Sequence, residues 1–361
     1  MSGGSYDAPR RFWSTDPPRL RDRALAAVLA PAALGFAAAA RMHRLAFDRG
    51  WLPLHSSAVP VVSVGGLEVG GVGKTPLVAE LVRVARAAGL RPAVLTRGYG
   101  GAGARAPRLV PTSPALDGAA HFGDEPILLR EQLGPDVPIW VARDRVTSAR
   151  LAAEAGAELL ILDDGFQHRR LRRDADLVCL SGTRPFGNGR ILPLGPLREP
   201  PTALRRATRV VLSDVAPAAW PAARASLLRL LPAEIPIHAW TARPSLRMVR
   251  GRAPETGASV FLLTGVAHPE RVACAVTALG LSPAVQRADP DHHAWTDTEL
   301  RAIARQAGRL TLLTTAKDWV RLRPRELALG DVGVVEQRLE WLPPSSSEEW
   351  SEWMARLAQK R

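Results

Sequence analysis

An α/β protein built on a parallel sheet around a phosphate-binding loop is predicted by three observations. A β-branched run from Val61 to Val64 breaks into glycines and ends in Gly73-Lys74-Thr75, the pattern of strand, anion-cradling loop and helix. A second apolar run, Leu159 to Leu162, ends in the paired carboxylates Asp163 and Asp164. The strand-and-helix alternation then restarts near His238, which predicts a further α/β unit. The expected fold is a P-loop NTPase-like parallel sheet domain, a second, smaller α/β domain and an N-terminal membrane-interfacial helix. The expected divisions are residues 1–45, 46–235 and 236–361.

Composition narrows the partners. The chain has 361 residues, enough for two domains with sizeable cores, and a net charge of +13, which points to phosphates, anionic lipid surfaces or nucleic acid. With two tyrosines and seven phenylalanines, it lacks the aromatic stacking runs of common RNA modules, so no nucleic-acid partner is expected. Cys179 and Cys274 lie far apart in apolar runs, with neither a disulfide framework nor metal-ligand spacing.

At the N-terminus, residues 24–40 carry no charge and lie between Arg23 and Arg41. The run falls short of the ~20 residues a bilayer span needs, is dominated by alanine and contains Pro31 and Gly35. Two readings stand: an interfacial helix on an anionic membrane surface, with Arg19, Arg21, Arg23, Arg41 and Arg44 at the head groups, or an Ala-rich helix packed on the domain.

In the loop itself, Gly70, Gly71, Val72 and Gly73 offer backbone N–H groups to phosphates. Lys74 adds a compact charge, Thr75 offers a hydroxyl to Mg²⁺, and Pro76 sits in the first helical turn, where proline is tolerated. The strict phosphate-loop pattern asks for glycine where Glu68 stands. Lysine is nonetheless scarce: Lys74, Lys317 and Lys360 are the only ones, against an arginine-rich background, and arginine's planar fork does not replace a point charge. Pro92–Thr96 reads as a strand ending at Arg97, whose role is either phosphate contact or turn chemistry. Asp124 and Glu125 open a helical run, as dipole partners do. Pro138–Ala142 is a strand, followed by a helix from Thr147. Asp163 or Asp164 is the expected Mg²⁺ carboxylate.

The Arg169–Arg173 cluster reads as a solvated or membrane-facing surface. The Pro-rich loop 192–200 carries Arg198 and Glu199 as if to hold a charged group still. In the last third, Ser259–Thr264 and Leu310–Thr314 are strands. Asp297–Ala307 is a helix with Thr296 or Asp297 as cap. Of the adjacent His292 and His293, one is expected to act as a lone catalytic or hinge histidine.

Gly70-Gly71-Val72-Gly73-Lys74-Thr75-Pro76, Arg97-Gly98-Tyr99-Gly100, Gly123-Asp124-Glu125-Pro126, Asp163-Asp164-Gly165-Phe166-Gln167-His168, Leu192-Pro193 with Arg198 and Glu199, Asp291-His292-His293 and Thr315-Ala316-Lys317-Asp318 occur in this order. Together they resemble the tetraacyldisaccharide 4′-kinase family, the lipid A 4′-kinases of Gram-negative bacteria, from about Arg19 to Leu322. The resemblance implies ATP- and Mg²⁺-dependent phosphorylation of the 4′-hydroxyl of a lipid A disaccharide 1-phosphate, on the cytoplasmic face of the inner membrane. It implies Asp124 as catalytic base in a dyad with His292, Lys74 and Arg145 as phosphate-stabilising residues, and a metal shell drawn from Thr75, Asp163, Asp164 and Glu199. The family usually has Asn where Gly66 stands and Thr where Glu68 stands. A competing reading is a membrane-associated nucleotide switch of the ParA and MinD type. Those proteins carry a lysine just before the paired glycines, where this chain has Val69.

Overall fold

The computed structural model describes residues 13, 20–98, 106–112, 118–266, 269–290, 293, 295–322, 329–344 and 346–359. The chain opens with helix α1 (Leu20–Asp48) and enters the sheet at β1 (Val61–Gly66). There follow α2 (Lys74–Ala87), β2 (Pro92–Thr96), β3 (Arg108–Leu109), α3 (Gly118–Phe122), α4 (Asp124–Leu133), β4 (Ile139–Val141), α5 (Arg145–Glu154) and β5 (Leu159–Asp163). Next come β6 (Ala175–Ser181), β7 (Arg209–Ser213), α6 (Trp220–Leu228), β8 (Ile237–Arg250), β9 (Ser259–Thr264) and α7 (Pro269–Ala278). The last elements are β10 (Ser282–Ala288), α8 (Asp297–Ala307), β11 (Thr311–Thr315), α9 (Ala316–Leu322), β12 (Val332–Leu342) and α10 (Ser346–Ala358).

Among the described residues the strands form one sheet in the order β10-β9-β11-β12-β8-β7-β6-β1-β5-β2-β4-β3. Pairing is parallel except between β8 and β12 and between β3 and β4. The central strands are buried from end to end, as expected where helices cover both faces of a parallel sheet. On one face Leu77, Val78 and Leu81 of α2 pack with Val62, Ile161 and Leu177. On the other, Ala149 and Ala152 of α5 meet Val61, Leu160 and Leu162. Full burial of each such aliphatic side chain contributes about 1.5–3 kcal/mol.

Sequence periodicity missed the antiparallel ribbon of β8 and β12, paired from Val332↔Arg250 to Leu342↔Ala239. Its one end joins β7 through Val210↔Ile237 and its other joins β11 through Leu312↔Val332, so the sheet is continuous across the expected boundary near residue 235. From Thr241 onward β8 is only partly buried and rich in arginine, and β12 is partly exposed over residues 336–340, which hid the ribbon from a search for apolar runs. Its inner end is anchored below the phosphate loop, where Trp341 Nε1 donates to Glu80 of α2 at 3.3 Å.

Helix α1 extends well past the charge-free stretch, to Asp48, so by length and composition the segment Ala24–Asp48 is long enough to cross a bilayer. The sequence reading counted only the uncharged core and judged it short. Leu25, Val28, Leu34, Phe36, Met42 and Leu45 are exposed along the helix, so α1 is not buried against the domain, as the second of the two readings required. Its last turns are held by Arg169, which donates to the Arg44 carbonyl at 3.2 Å and to Asp48 at 2.7 Å, with its guanidinium over Phe47. The Arg169–Arg173 cluster is therefore partly structural, since Arg173 is likewise paired with Asp176 at 2.8 Å.

Candidate active site

The site begins with a register. Pairing of β1 with β5 sets Val64 beside Asp163, so the carboxylate at the end of one buried strand lies next to the start of the phosphate loop on the other. The turn after Asp163 crosses the loop so closely that a Cβ on Gly65 would run into the Phe166 backbone and Cβ. At the far end of the loop, Gly73 has φ +77°, and an added Cβ would stand 2.6 Å from Trp240 and 2.7 Å from the Ser213 Cβ. Only glycine meets both demands there. Lys74, Thr75 and Pro76 form the first turn of α2, its N–H groups and positive dipole end facing the loop. Val72 is buried beneath, its N–H bonded to the Gly70 carbonyl, and Gly71 has open space around it.

The two adjacent aspartates have opposite surroundings. Asp164 adopts φ +52°, which turns its carboxylate outward to accept from Lys74 Nζ at 2.5 Å and from Arg198 Nη1 at 2.8 Å. Burial works against its charge, but Lys74 and Arg198 hold its carboxyl down to about 2. Asp163 points inward, 2 % exposed, with Thr96 Oγ1 donating at 3.3 Å. Burial, helped by the negative charge of Glu125, pushes its carboxyl up to about 7. Such a carboxylate gains from a cation beside it, and its hard oxygen donor suits Mg²⁺.

Arg145, the first residue of α5, is 4 % exposed and donates to the Asp164 carbonyl at 3.2 Å, while its Nε has no partner among the described residues. Its guanidinium thus sits behind the Asp163–Asp164 turn with donor capacity to spare. Glu199 is 4 % exposed and forked by Arg206 at 3.0 and 3.1 Å. Gln167 donates to it at 3.2 Å, and Arg44 of α1 approaches to 3.9 Å. Arg44, expected at lipid head groups, is thus turned toward the site. Gln167 also donates to the Gly66 carbonyl at 3.0 Å and so ties Glu199 to the end of β1.

Asp124 is the first residue of α4, whose other end is capped by buried Arg130 through the carbonyls of Gly134, Val137 and Val110. Its carboxylate accepts from Arg321 of α9 at 2.7 Å. His292 lies outside the described residues, so its proposed pairing with Asp124 has no structural description. His293 engages Glu299 of α8 at 3.1 Å instead. Arg97 ends β2 exposed.

Gln167 was expected from its motif to support the site from behind and Arg198 to help hold a charged group, but their partners Glu199 and Asp164 were not foreseen, and Arg321 was not singled out at all. Arg198 had a signal, an arginine and a glutamate side by side in a Pro-rich loop; Arg321 had only its i,i+3 spacing from Asp318. Glu68, the departure from the loop pattern, proves to be structural. Its carboxylate accepts from the Phe186 N–H at 3.0 Å and from the Ser181 backbone, and burial raises its pKa. Val69 N–H to the Pro196 carbonyl and Arg198 N–H to the Leu67 carbonyl complete the seam. The phosphate loop is thereby stitched to the segment that delivers Arg198 and Glu199.

Among the described residues no three acidic, histidine or cysteine side chains form a metal cage. Mg²⁺ in kinases needs none, being held by one or two carboxylates, phosphate oxygens and water. Thr75 and Asp163 fit that donor set; Asp164 and Glu199 are already committed to Lys74 and to arginines.

A phosphate loop at the end of β1 beside a carboxylate at the end of β5, in a mixed α/β sheet, defines a P-loop nucleotide-binding protein. The family model described as tetraacyldisaccharide-1-P 4′-kinase matches residues 25–357. A tetraacyldisaccharide 4′-kinase of Anaeromyxobacter dehalogenans is 46% identical over 318 residues, covering 82% of this chain and 81% of that one. One from Rhodospirillum centenum is 39% identical over 345 residues, covering 93% of each. The crystal structure of the apo form of LpxK from Aquifex aeolicus in complex with ATP superimposes with a TM-score of 0.73 at 25% identity, over 92% of this chain and 99% of that one. The chain belongs to the tetraacyldisaccharide 4′-kinase family and is an enzyme, which does not favour the nucleotide-switch reading.

The seam at Glu68 generates a prediction. Glu68→Ala strips the acceptor from two backbone N–H groups and should lower unfolding free energy by about 1–3 kcal/mol in urea titrations, whereas Glu68→Gln, which keeps an acceptor, should lose less than half of that. Equal losses would show that the side chain does not bind those N–H groups.

Proposed function

We propose that the enzyme binds ATP at the loop from Gly70 to Pro76 and transfers its γ-phosphoryl group to the 4′-hydroxyl of a tetraacyldisaccharide 1-phosphate, the step that gives lipid IVA in lipid A biosynthesis. The observation that carries this reading is the convergence of Lys74, Asp163, Asp164 and Arg198 at the ends of β1 and β5, in a chain whose relatives bear that name.

In this proposal the loop N–H groups and Lys74 hold the β and γ phosphates. Lys74 must then exchange Asp164 for phosphate, and Arg198 keeps Asp164 charged while it does. Thr75 and Asp163 would hold Mg²⁺, which supplies charge neutralisation across the phosphates. Glu199 acts through Gln167 on the loop rather than on the metal. Arg145, with a donor to spare, stabilises charge on the transferring group. Asp124 accepts the proton of the sugar hydroxyl, with His292 as its partner. In-line transfer asks the protein for positioning and charge more than covalent chemistry, and the donors gathered here supply both.

The exposed apolar residues of α1 support a peripheral or monotopic attachment to the cytoplasmic face of the inner membrane, with anionic lipid as partner. The two-part reading also stands as a proposal: a kinase domain over 46–235 and a C-terminal domain over 236–361 that closes over the acceptor, joined to the first through β8 of its β8–β12 ribbon.

The direct test incubates the protein with ATP labelled at the γ-phosphate, Mg²⁺ and the disaccharide 1-phosphate in detergent micelles. Labelled bisphosphorylated lipid is expected, and Asp124→Ala should lower kcat about 10²-fold or more while ATP still binds. A folded, ATP-binding protein that labels no lipid sinks the assignment. For the membrane, Val28→Glu combined with Leu34→Glu should abolish co-flotation with anionic vesicles yet leave ATP binding intact; unchanged flotation removes α1 as the anchor.

A further inference from the structure

Asp124 does not stand alone on α4. Arg321, 8% exposed in its side chain, reaches it from α9 and donates through Nη2 at 2.7 Å. The same guanidinium donates through Nη1 to Asp318 at 3.3 Å. Asp318 is wholly buried and held by the Gly265 N–H at 3.0 Å and the Thr315 hydroxyl at 2.8 Å. Burial pushes its carboxyl up, against those two donors and Arg321. A buried acid kept in place by three donors is a firm mount for the arginine it binds.

The mount continues toward a second loop. A Cβ on Gly265 would stand 2.9 Å from Trp295 and 3.2 Å from the Asp318 carboxylate. Trp295 is 1% exposed, and its indole N–H is bonded to Asp289 at 2.7 Å, which is in turn paired with Arg287. Asp289 and Trp295 bracket the short segment that includes His292. One contact chain therefore runs from Asp124 through Arg321, Asp318 and Gly265 to Trp295 and Asp289.

We infer that Arg321, mounted on Asp318, is a positioning residue for the phosphoryl-acceptor chemistry: it fixes the Asp124 carboxylate and ties it through Asp318 and Gly265 to Trp295 and Asp289. The inference rests on Asp124 as the base. An arginine suits the task because its fork binds two carboxylates at once in a fixed plane, which a lysine point charge does not reproduce. Its effect belongs on turnover rather than on nucleotide binding, since the carboxylate it holds is the one read as the base, while Lys74 is engaged by Asp164.

The test measures kcat, KM for ATP and thermal unfolding for Arg321→Lys, Arg321→Met and Asp318→Asn, each in the wild-type and the Asp124→Asn background. Arg321→Met leaves two carboxylates facing one another and is the variant at risk of misfolding; Arg321→Lys keeps the charge and serves if it does. The expected result is a kcat lowered about tenfold in Arg321→Lys and Asp318→Asn and further in Arg321→Met, with KM for ATP unchanged. In the Asp124→Asn background Arg321→Lys should change kcat by less than about twofold, because the group it positions is already gone. The inference is overturned if Arg321→Lys costs the same factor in both backgrounds, or if it leaves kcat untouched in the wild type. Asp124→Asn turning over normally would remove the reading of Asp124 as base, and this inference with it.

Discussion

Asp164 holds the cations of the phosphate site together. Its left-handed backbone sends the carboxylate away from Asp163 and toward Lys74 and Arg198, so two residues adjacent in sequence face opposite environments. One is ionised down to a pKa of about 2, and the other is pushed up to about 7 by burial and by Glu125. The division leaves one carboxylate to neutralise the loop's cations and one that gains from a metal. Lys74, Arg198 and Arg145 are all placed by this single turn, and the crossing of Gly65 by Phe166 keeps the turn against the loop.

The remaining parts of the site are attached to that turn by seams of different kinds. Glu68 binds the loop to the segment that carries Arg198 through backbone N–H groups. Gln167 binds Glu199 to the Gly66 carbonyl. Arg44 brings the end of α1 within 3.9 Å of Glu199, so α1 and the Gln167 link to the end of β1 share a carboxylate. Arg321 and Asp318 do the corresponding work for Asp124 from the C-terminal part of the sheet.

Much of this was legible in the sequence where chemistry is local. Strand, glycines and Gly73-Lys74-Thr75 defined the loop, Pro92–Thr96 and Ser259–Thr264 are strands as read, and Thr296 is the expected cap of α8, completed by Glu299 as a capping box. What sequence hid is long-range. β8 and β12 lie 82 or more residues apart at every paired position, and only short stretches of each are fully buried, residues 237–240 in β8 and 332–335 in β12, so neither reads as a long buried strand. The ion pairs of Glu199 were hidden because its partners in space, Arg206 and Arg44, are not its neighbours in the motif. Glu68 looked like a blemish because the N–H groups it satisfies come from residues more than a hundred positions away.

The central claim is the division of labour between the two aspartates. Electron paramagnetic resonance of Mn²⁺, in place of Mg²⁺, bound together with a non-hydrolysable ATP analogue reads it directly. The account predicts that Asp163→Asn abolishes the protein-bound Mn²⁺–nucleotide signal at concentrations that saturate the wild type, while Asp164→Asn keeps it. Loss of the signal in Asp164→Asn with retention in Asp163→Asn would contradict the account.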